Sequence, residues 1–387
     1  MSKQRKVCES VFRATHMTMT SNLEQDVFNP YIVHQTSYIY MTINQLVRPN
    51  ILNMKSYSSA RDEFKGAASV FLDANENPFP NDGLNRYPDP VATAVRAELV
   101  KQKDVPVENI FLGNGSDEVI DVLIRVFCEP RIDNIITLPP TYGMYEVSAN
   151  TADVEVRKIV LTPDFQPNVD DILRGVDAHS KILFLCSPNN PTGNSFKKEL
   201  ILELLAKFDG IIVIDEAYID FSDQPSCRRW LTYFPNLVIM QTFSKAWGLA
   251  AIRLGIAFAS TEIIGLMNKV KPPYNVNELT QRAALNALKN ADKTKLAIAE
   301  ILSEREKLVP ILRGLECVKN VYPSDANFLL VEVVQPNELY KWLAMNGVVV
   351  RNRHNVVLCE GCLRITIGTA EENAALIRVM ETVRSYA

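Results

Sequence analysis

The sequence predicts an α/β protein: a large domain on a mainly parallel sheet sandwiched by helices, followed by a small α+β domain. Three observations carry that expectation. Beyond residue 80, short apolar runs alternate with amphipathic stretches of helical length, the order that builds parallel sheets through crossover helices. Several of these runs, such as 182–186 and 211–214, are apolar at successive positions, as strands covered on both faces must be. A charged stretch at 292–312 then separates this pattern from a shorter set of strands and helices.

Residues 1–40 are polar and without a sustained period. No apolar segment follows the basic Lys3-Gln4-Arg5-Lys6, which argues against a secretory signal, and Glu9, Glu24 and Asp26 count against an organellar transit peptide. The segment reads as a disordered extension, or as sequence upstream of a true start at Met41. Residues 41–80 read as an arm with little periodicity. The large domain is expected over 81–290, with strands at 135–138, 155–161, 182–186, 211–214, 237–241 and 254–258. Its helices are expected at 90–102, 117–127, 197–207 and 278–288. A bridging helix near 292–312 leads into a small domain, 291–387. Strands are expected there at 327–333, 348–351 and 363–367, and helices at 336–345 and 371–383.

Composition excludes several classes. The 387 residues are 47% hydrophobic and 22% charged, ordinary for a globular protein, and long enough for more than one domain. A net charge of −4 gives no reason to expect nucleic acid or an anionic membrane as partner. No run approaches the roughly 18 apolar residues of a membrane span. Seven scattered cysteines fit reduced thiols in a cytoplasmic setting. Cys359 and Cys362 form a lone C-x-x-C, and the histidines at 16, 34, 179 and 354 do not complete a zinc site, so no metal is expected. The pair reads as structural thiols.

The chemistry gathers at strand ends, where open α/β sheets collect ligands. Lys245 follows the run 237–241 in Ser244-Lys245-Ala246-Trp247-Gly248, and Arg253 comes eight positions later. Lysine is the residue type that forms a Schiff base with an aldehyde, and Ser244 with Arg253 could hold a phosphate. Taken alone, a loop lysine is more often merely solvated. The run 211–214 ends in Asp215, placed to pair with a protonated pyridine nitrogen, although such an aspartate can equally cap the next helix. The run 182–186 ends in Ser187-Pro188-Asn189-Asn190-Pro191-Thr192-Gly193, a tight turn that leaves Asn190 free to meet a ring hydroxyl, or simply a loop. Gly113-Asn114-Gly115-Ser116-Asp117 opens a helix whose first amides suit an anion, a signal weak by itself. Together the four describe one ligand carrying an aldehyde, a pyridine nitrogen, a phenolic oxygen and a phosphate.

These residues resemble those of the fold-type I pyridoxal-phosphate aminotransferases, and within them the histidinol-phosphate branch. The resemblance runs from Met41 to the C-terminus. Its most specific pieces are Leu72-Asp73-Ala74-Asn75-Glu76-Asn77-Pro78, Arg86-Tyr87-Pro88, Pro139-Pro140-Thr141-Tyr142-Gly143-Met144-Tyr145, the turn Ser187 to Gly193, Asp215-Glu216-Ala217-Tyr218, Ser244-Lys245-Ala246 and Cys362-Leu363-Arg364-Ile365-Thr366-Ile367-Gly368. It implies a seven-stranded type of sheet, pyridoxal 5'-phosphate as cofactor, and amino transfer between L-histidinol phosphate and 2-oxoglutarate. By the same resemblance Lys245 is the aldimine lysine and proton carrier. Asp215 pairs with the pyridine nitrogen, Asn190 and Tyr218 reach the ring hydroxyl, and Tyr142 stacks on the ring. The amides of Ser116 and Asp117, with Ser244 and Arg253, hold the phosphate. Tyr87 reaches it from a neighbouring subunit, which implies a homodimer with shared sites. Tyr57, Arg351 and Arg364 match substrate-binding positions. Ala251, Trp247 and Ile256 depart from the family pattern, where glycine, phenylalanine and tyrosine are more usual. The competing readings are a decarboxylase of the same fold acting on a phosphorylated amino acid, an aromatic-amino-acid aminotransferase, and a cofactor-binding regulatory protein.

Overall fold

In the computed structural model, residues 41–56, 66 and 68–383 are described; the expectations for residues 1–40 and for Tyr57 lie outside them. The first sheet has seven strands: β1 (Ile110–Asn114), β2 (Asn134–Thr137), β3 (Glu155–Lys158), β4 (Ser180–Cys186), β5 (Ile211–Asp215), β6 (Leu237–Thr242) and β7 (Leu254–Ala259). Their order is β1-β7-β6-β5-β4-β2-β3. All neighbouring pairs from β6 to β3 are parallel, and β7 alone runs against both its neighbours. Every residue of β5, β6 and β7 is buried, which is why these segments carry apolar residues without alternation. At the edge, β3 is exposed and holds charges: Arg157 pairs with Glu155 at 3.0 Å and with Asp177 at 2.7 Å, blunting the open ladder.

The helix Ser116–Phe127 packs a face of Val119, Ile120, Leu123, Val126 and Phe127 onto this sheet, within one large apolar cluster. Across the long helix Ala291–Arg313, a second sheet of order β10-β11-β9-β8 is antiparallel throughout. Its strands are β8 (Val318–Val321), β9 (Phe328–Val333), β10 (Arg351–Asn352) and β11 (Cys362–Thr366). It packs on Leu308 and Leu312 of the long helix and on Leu376 and Met380 of the helix Ala370–Glu381. A small cluster of Tyr218, Phe221, Ala246, Ala326 and Phe328, backed by Ile298 and Leu302, ties the strand-end loops of the first sheet to β9.

Several elements differ from expectation. β1 and β8 are additional strands. β1 has only Ile110-Phe111-Leu112 before its glycines, and β8 is mostly exposed, so neither shows a strand pattern of full length. β3 stops at Lys158 rather than 161, beside Pro139 and Pro140, which have no amide to extend the ladder. β10 begins at Arg351 rather than 348, because the Val348 amide closes the preceding helix by donating to the Leu343 carbonyl. The arm is less featureless than it reads: short helices at Ile43–Leu46 and Pro49–Asn53 bury Ile43, Leu46, Val47 and Ile51 in the main core.

Candidate active site

Strands β4, β5 and β6 deliver their C-terminal residues to one edge of the sheet, where the chain opens into a cleft of about 650 Å³. Asp215, the last residue of β5, lies beside Cys186 of β4 and Met240 of β6 and is 3% exposed. Burial pushes its carboxyl up to about 6 from the usual 3.8. Three groups oppose that rise: the Tyr145 hydroxyl donates to Oδ2 at 2.6 Å, the Ala217 amide donates to Oδ1 at 3.0 Å, and Lys245 attracts the charge.

Lys245 stands in the loop between β6 and β7, where a turn bonds the Gly248 amide to the Lys245 carbonyl at 3.0 Å. Its Nζ reaches into the cleft 5.6 Å from the centre of the Tyr218 ring. The surrounding walls, and the Arg364 charge after them, lower its pKa below the ordinary lysine value. Tyr218 is itself buried, edge-on to Phe328 at 5.1 Å.

One end of the cleft is an anion cup. Gly115 has a φ of 80°, which turns the chain into the helix Ser116–Phe127 and aims its first amides at the cleft. Arg253 closes the cup, donating to Asp117 at 3.2 Å and to Ser244 at 3.4 Å, and Tyr142 donates to the same aspartate at 3.1 Å. At the other end are Arg351 and Arg364, directly opposed across β10 and β11. Arg364 lies over the Phe328 ring at 5.3 Å and donates to Oδ1 of the buried Asn190.

Every candidate residue named from the sequence and described in the structure lines this cleft, with the exception of Tyr87. Tyr57 lies outside the described residues. Tyr87 borders a separate hollow with Glu76 and Asn277, 53% exposed and stacked on Tyr274 at 4.6 Å.

The comparisons with known proteins bear on the same residues. The sequence pattern of the family described as aminotransferase class I and II matches residues 51–380. The chain belongs to that family. The histidinol-phosphate aminotransferase of Flavobacterium johnsoniae is 56% identical over 342 residues, covering 88% of this chain and 98% of the relative. Among solved structures, the histidinol-phosphate aminotransferase of Clostridium acetobutylicum superposes with a TM-score of 0.70 at 26% identity, over 78% of this chain and 91% of that one. The same fold is seen, at a TM-score of 0.70 and 21% identity over 78% of this chain and 83% of that one, in the Sinorhizobium meliloti histidinol-phosphate aminotransferase in complex with pyridoxal-5'-phosphate.

Pyridoxal phosphate is the cofactor of this aminotransferase family, and the groups present suit it. A lysine of lowered pKa, a fully buried strand-end carboxylate, an amide and a phenol between them, and an anion cup match its aldehyde, ring nitrogen, ring oxygen and phosphate. Two contributors escape the sequence reading. Tyr145 belongs to a quoted motif, but its bond to Asp215 spans 70 residues and leaves no local trace. Arg353 also lines the cleft, and its only signal is the alternation Arg351-Asn352-Arg353. Cys359 and Cys362 are free and buried, and burial pushes both thiols up to about 12, away from redox reactivity.

Proposed function

We propose that this aminotransferase moves the amino group between L-histidinol phosphate and 2-oxoglutarate, giving imidazole acetol phosphate and L-glutamate, as a step of histidine biosynthesis. One observation carries the reading: a single cleft whose lining brings the helix start at Ser116 with Arg253, and Arg351 with Arg364, together with Lys245 and Asp215. The cup of Ser116, Asp117, Ser244 and Arg253 takes the cofactor's phosphate, and the arginine end takes the substrate's anion.

When bound, pyridoxal phosphate supplies an aldehyde for the amino group and a ring that takes up electrons. Asp215 would hold the proton on the ring nitrogen, and its buried bond to Tyr145 fixes the orientation of its carboxylate. Asn190 and Tyr218 would hold the ring oxygen, and Tyr142 would pack against the ring. Lys245 Nζ anchors the cofactor and moves the proton at the substrate carbon, a task its lowered pKa favours. Arg364 forks onto either a phosphate or a carboxylate, which lets one site serve both partners in turn. Arg351, which lines the same cleft, completes that pocket.

The exposure of Tyr87 supports a homodimer in which this ring reaches the phosphate cup of the second copy. Among the described residues no helix is long and apolar enough to cross a membrane.

Steady-state kinetics of the loaded enzyme with L-histidinol phosphate, L-histidinol and phenylalanine test the substrate. The phosphorylated amine should exceed L-histidinol in kcat/KM by at least tenfold, since loss of the phosphate strands the arginines. Equal efficiency would sink the assignment in favour of an aromatic donor, and carbon dioxide release from a phosphorylated amino acid would mark a decarboxylase. A regulatory protein would turn over none of them.

A further inference from the structure

Beyond Arg351 and Arg364, a third guanidinium belongs to the same wall. Arg353 follows Arg351 by two residues, and its amide extends the β10–β11 ladder by donating to the Cys362 carbonyl at 2.9 Å. Residues two apart on a strand share a face, and directly opposed residues share it too, so Arg351, Arg353 and Arg364 crowd one face of the sheet. All three line the cleft. The charges that act most strongly on Arg353 are Arg364 and Arg351, with no carboxylate among them. Its Nε is buried and has no hydrogen-bond partner.

That arrangement is costly for an arginine kept only for packing. A buried donor without a partner and like charges at close range both oppose folding, and structural arginines are ordinarily paired. An anion in the cleft would offset the like charges of the three guanidinium groups that line it. Its charge matters. A carboxylate offers two oxygens and one charge, which a single guanidinium can match with its fork. A phosphomonoester offers three oxygens and about −1.5 to −2 charges at neutral pH.

We propose that Arg353 is a third anchor for the phosphate dianion of the amino donor, and that it sets the preference for a phosphomonoester over a carboxylate. The inference rests on the phosphorylated-donor reading given above. Arg353 is then a specificity residue: it adds a contact that the phosphate uses in full and that glutamate, with its planar carboxylate, uses less.

The test follows both half-reactions of the loaded enzyme in single turnovers, by cofactor absorbance, with L-histidinol phosphate and with L-glutamate. Arg353→Gln should lower kcat/KM for the phosphorylated donor roughly tenfold to hundredfold, the range for losing a charge-assisted bond, and for glutamate by a smaller factor. The ratio of the two should therefore fall about tenfold. Arg353→Lys keeps the charge without the fork and should recover part of that ratio. Inorganic phosphate, titrated directly by isothermal calorimetry against the loaded enzyme without substrate, should bind more weakly to Arg353→Gln in the same proportion, a readout independent of turnover. Equal losses for both donors, or an unchanged ratio, would overturn the proposal. If Arg353→Gln does not load cofactor, Arg353→Lys carries the comparison, with a fall of several-fold expected. A wild-type enzyme indifferent to the phosphate would instead sink the underlying assignment, whatever the variants do.

Discussion

Asp215 and Tyr145 form the pair on which the chemistry depends most. The carboxyl must be charged to hold a proton on a ring nitrogen, yet burial pushes it up to about 6. The Tyr145 hydroxyl at 2.6 Å favours the charged form. Tyr145→Phe should therefore raise the acidic limb of the pH–activity profile by about one to two units and weaken cofactor binding in parallel. An unmoved limb, measured by absorbance titration against pH, would remove Tyr145 from this role. The same shift bears on stability. With the folded value above the usual 3.8, Asp215 favours folding only while protonated; its contribution is intact below 3.8 and is lost as pH climbs through about 6. Cofactor-free Asp215→Asn, uncharged throughout, should be more stable than wild type at pH 8 by about 3 kcal/mol, the gap closing towards pH 4. Thermal melts at the two pH values decide it. Lys245, Asp215 and Asn190 were legible in the sequence because Asp215 directly follows an apolar run and the other two stand four positions beyond one. Tyr145 and Arg353 were not, since their roles come from contacts that only the folded chain creates.

The reversal of β7 shapes the site among the elements. Because β6 and β7 run in opposite directions, the loop between them starts and ends at the ligand edge, and it delivers Ser244, Lys245 and Arg253 together. The helix start at Ser116 must fit against this hairpin. Gly255 of β7 permits it: a Cβ there would collide with the backbone of Gly115 and Ser116. Gly255→Ala should cost about 1–3 kcal/mol of stability and loosen the phosphate cup, with cofactor affinity falling at least tenfold. Denaturant melts and cofactor titration report the two effects separately, and an alanine tolerated in both would show the approach to be less tight than described. This contact was invisible in the sequence, although its glycine was plain. The arm holds the opposite lesson. Ile43, Leu46, Val47 and Ile51 keep helical spacing, but two helices of 4 and 5 residues are too short for a periodic signal to stand out.

At the scale of the whole molecule, the alternation of apolar runs and helices announced the first sheet, and the charged helix marked the change to the second. The convergence of both on one cleft had to come from the fold. Tyr87 carries the remaining question of assembly. A Lys245→Ala chain mixed with a Tyr87→Phe chain should regain activity if each site takes its lysine from one copy and its tyrosine from the other. About a quarter to a half of wild-type activity would be the statistical ceiling for hybrids, each with one intact site. No recovery, after subunit exchange is verified, would mean self-contained sites.

Arg364 donates to Oδ1 of Asn190, across the space between the two sheets. The same asparagine is the amide assigned to the cofactor's ring oxygen, through its Nδ2. One side chain thus stands between two ligands that never need to touch it simultaneously in the same way. Turning the amide to suit the ring alters what it offers the guanidinium, and an anion that draws the guanidinium off frees the amide. Reciprocity then becomes obligatory: whatever factor the bound cofactor applies to the affinity for a phosphate at the arginines, a phosphate there must apply to the affinity for the cofactor. Titrating pyridoxal phosphate with and without inorganic phosphate, on a Lys245→Ala chain that cannot bond it covalently and on the same chain carrying Asn190→Ala, would separate the coupling through one amide from plain competition at the phosphate cup.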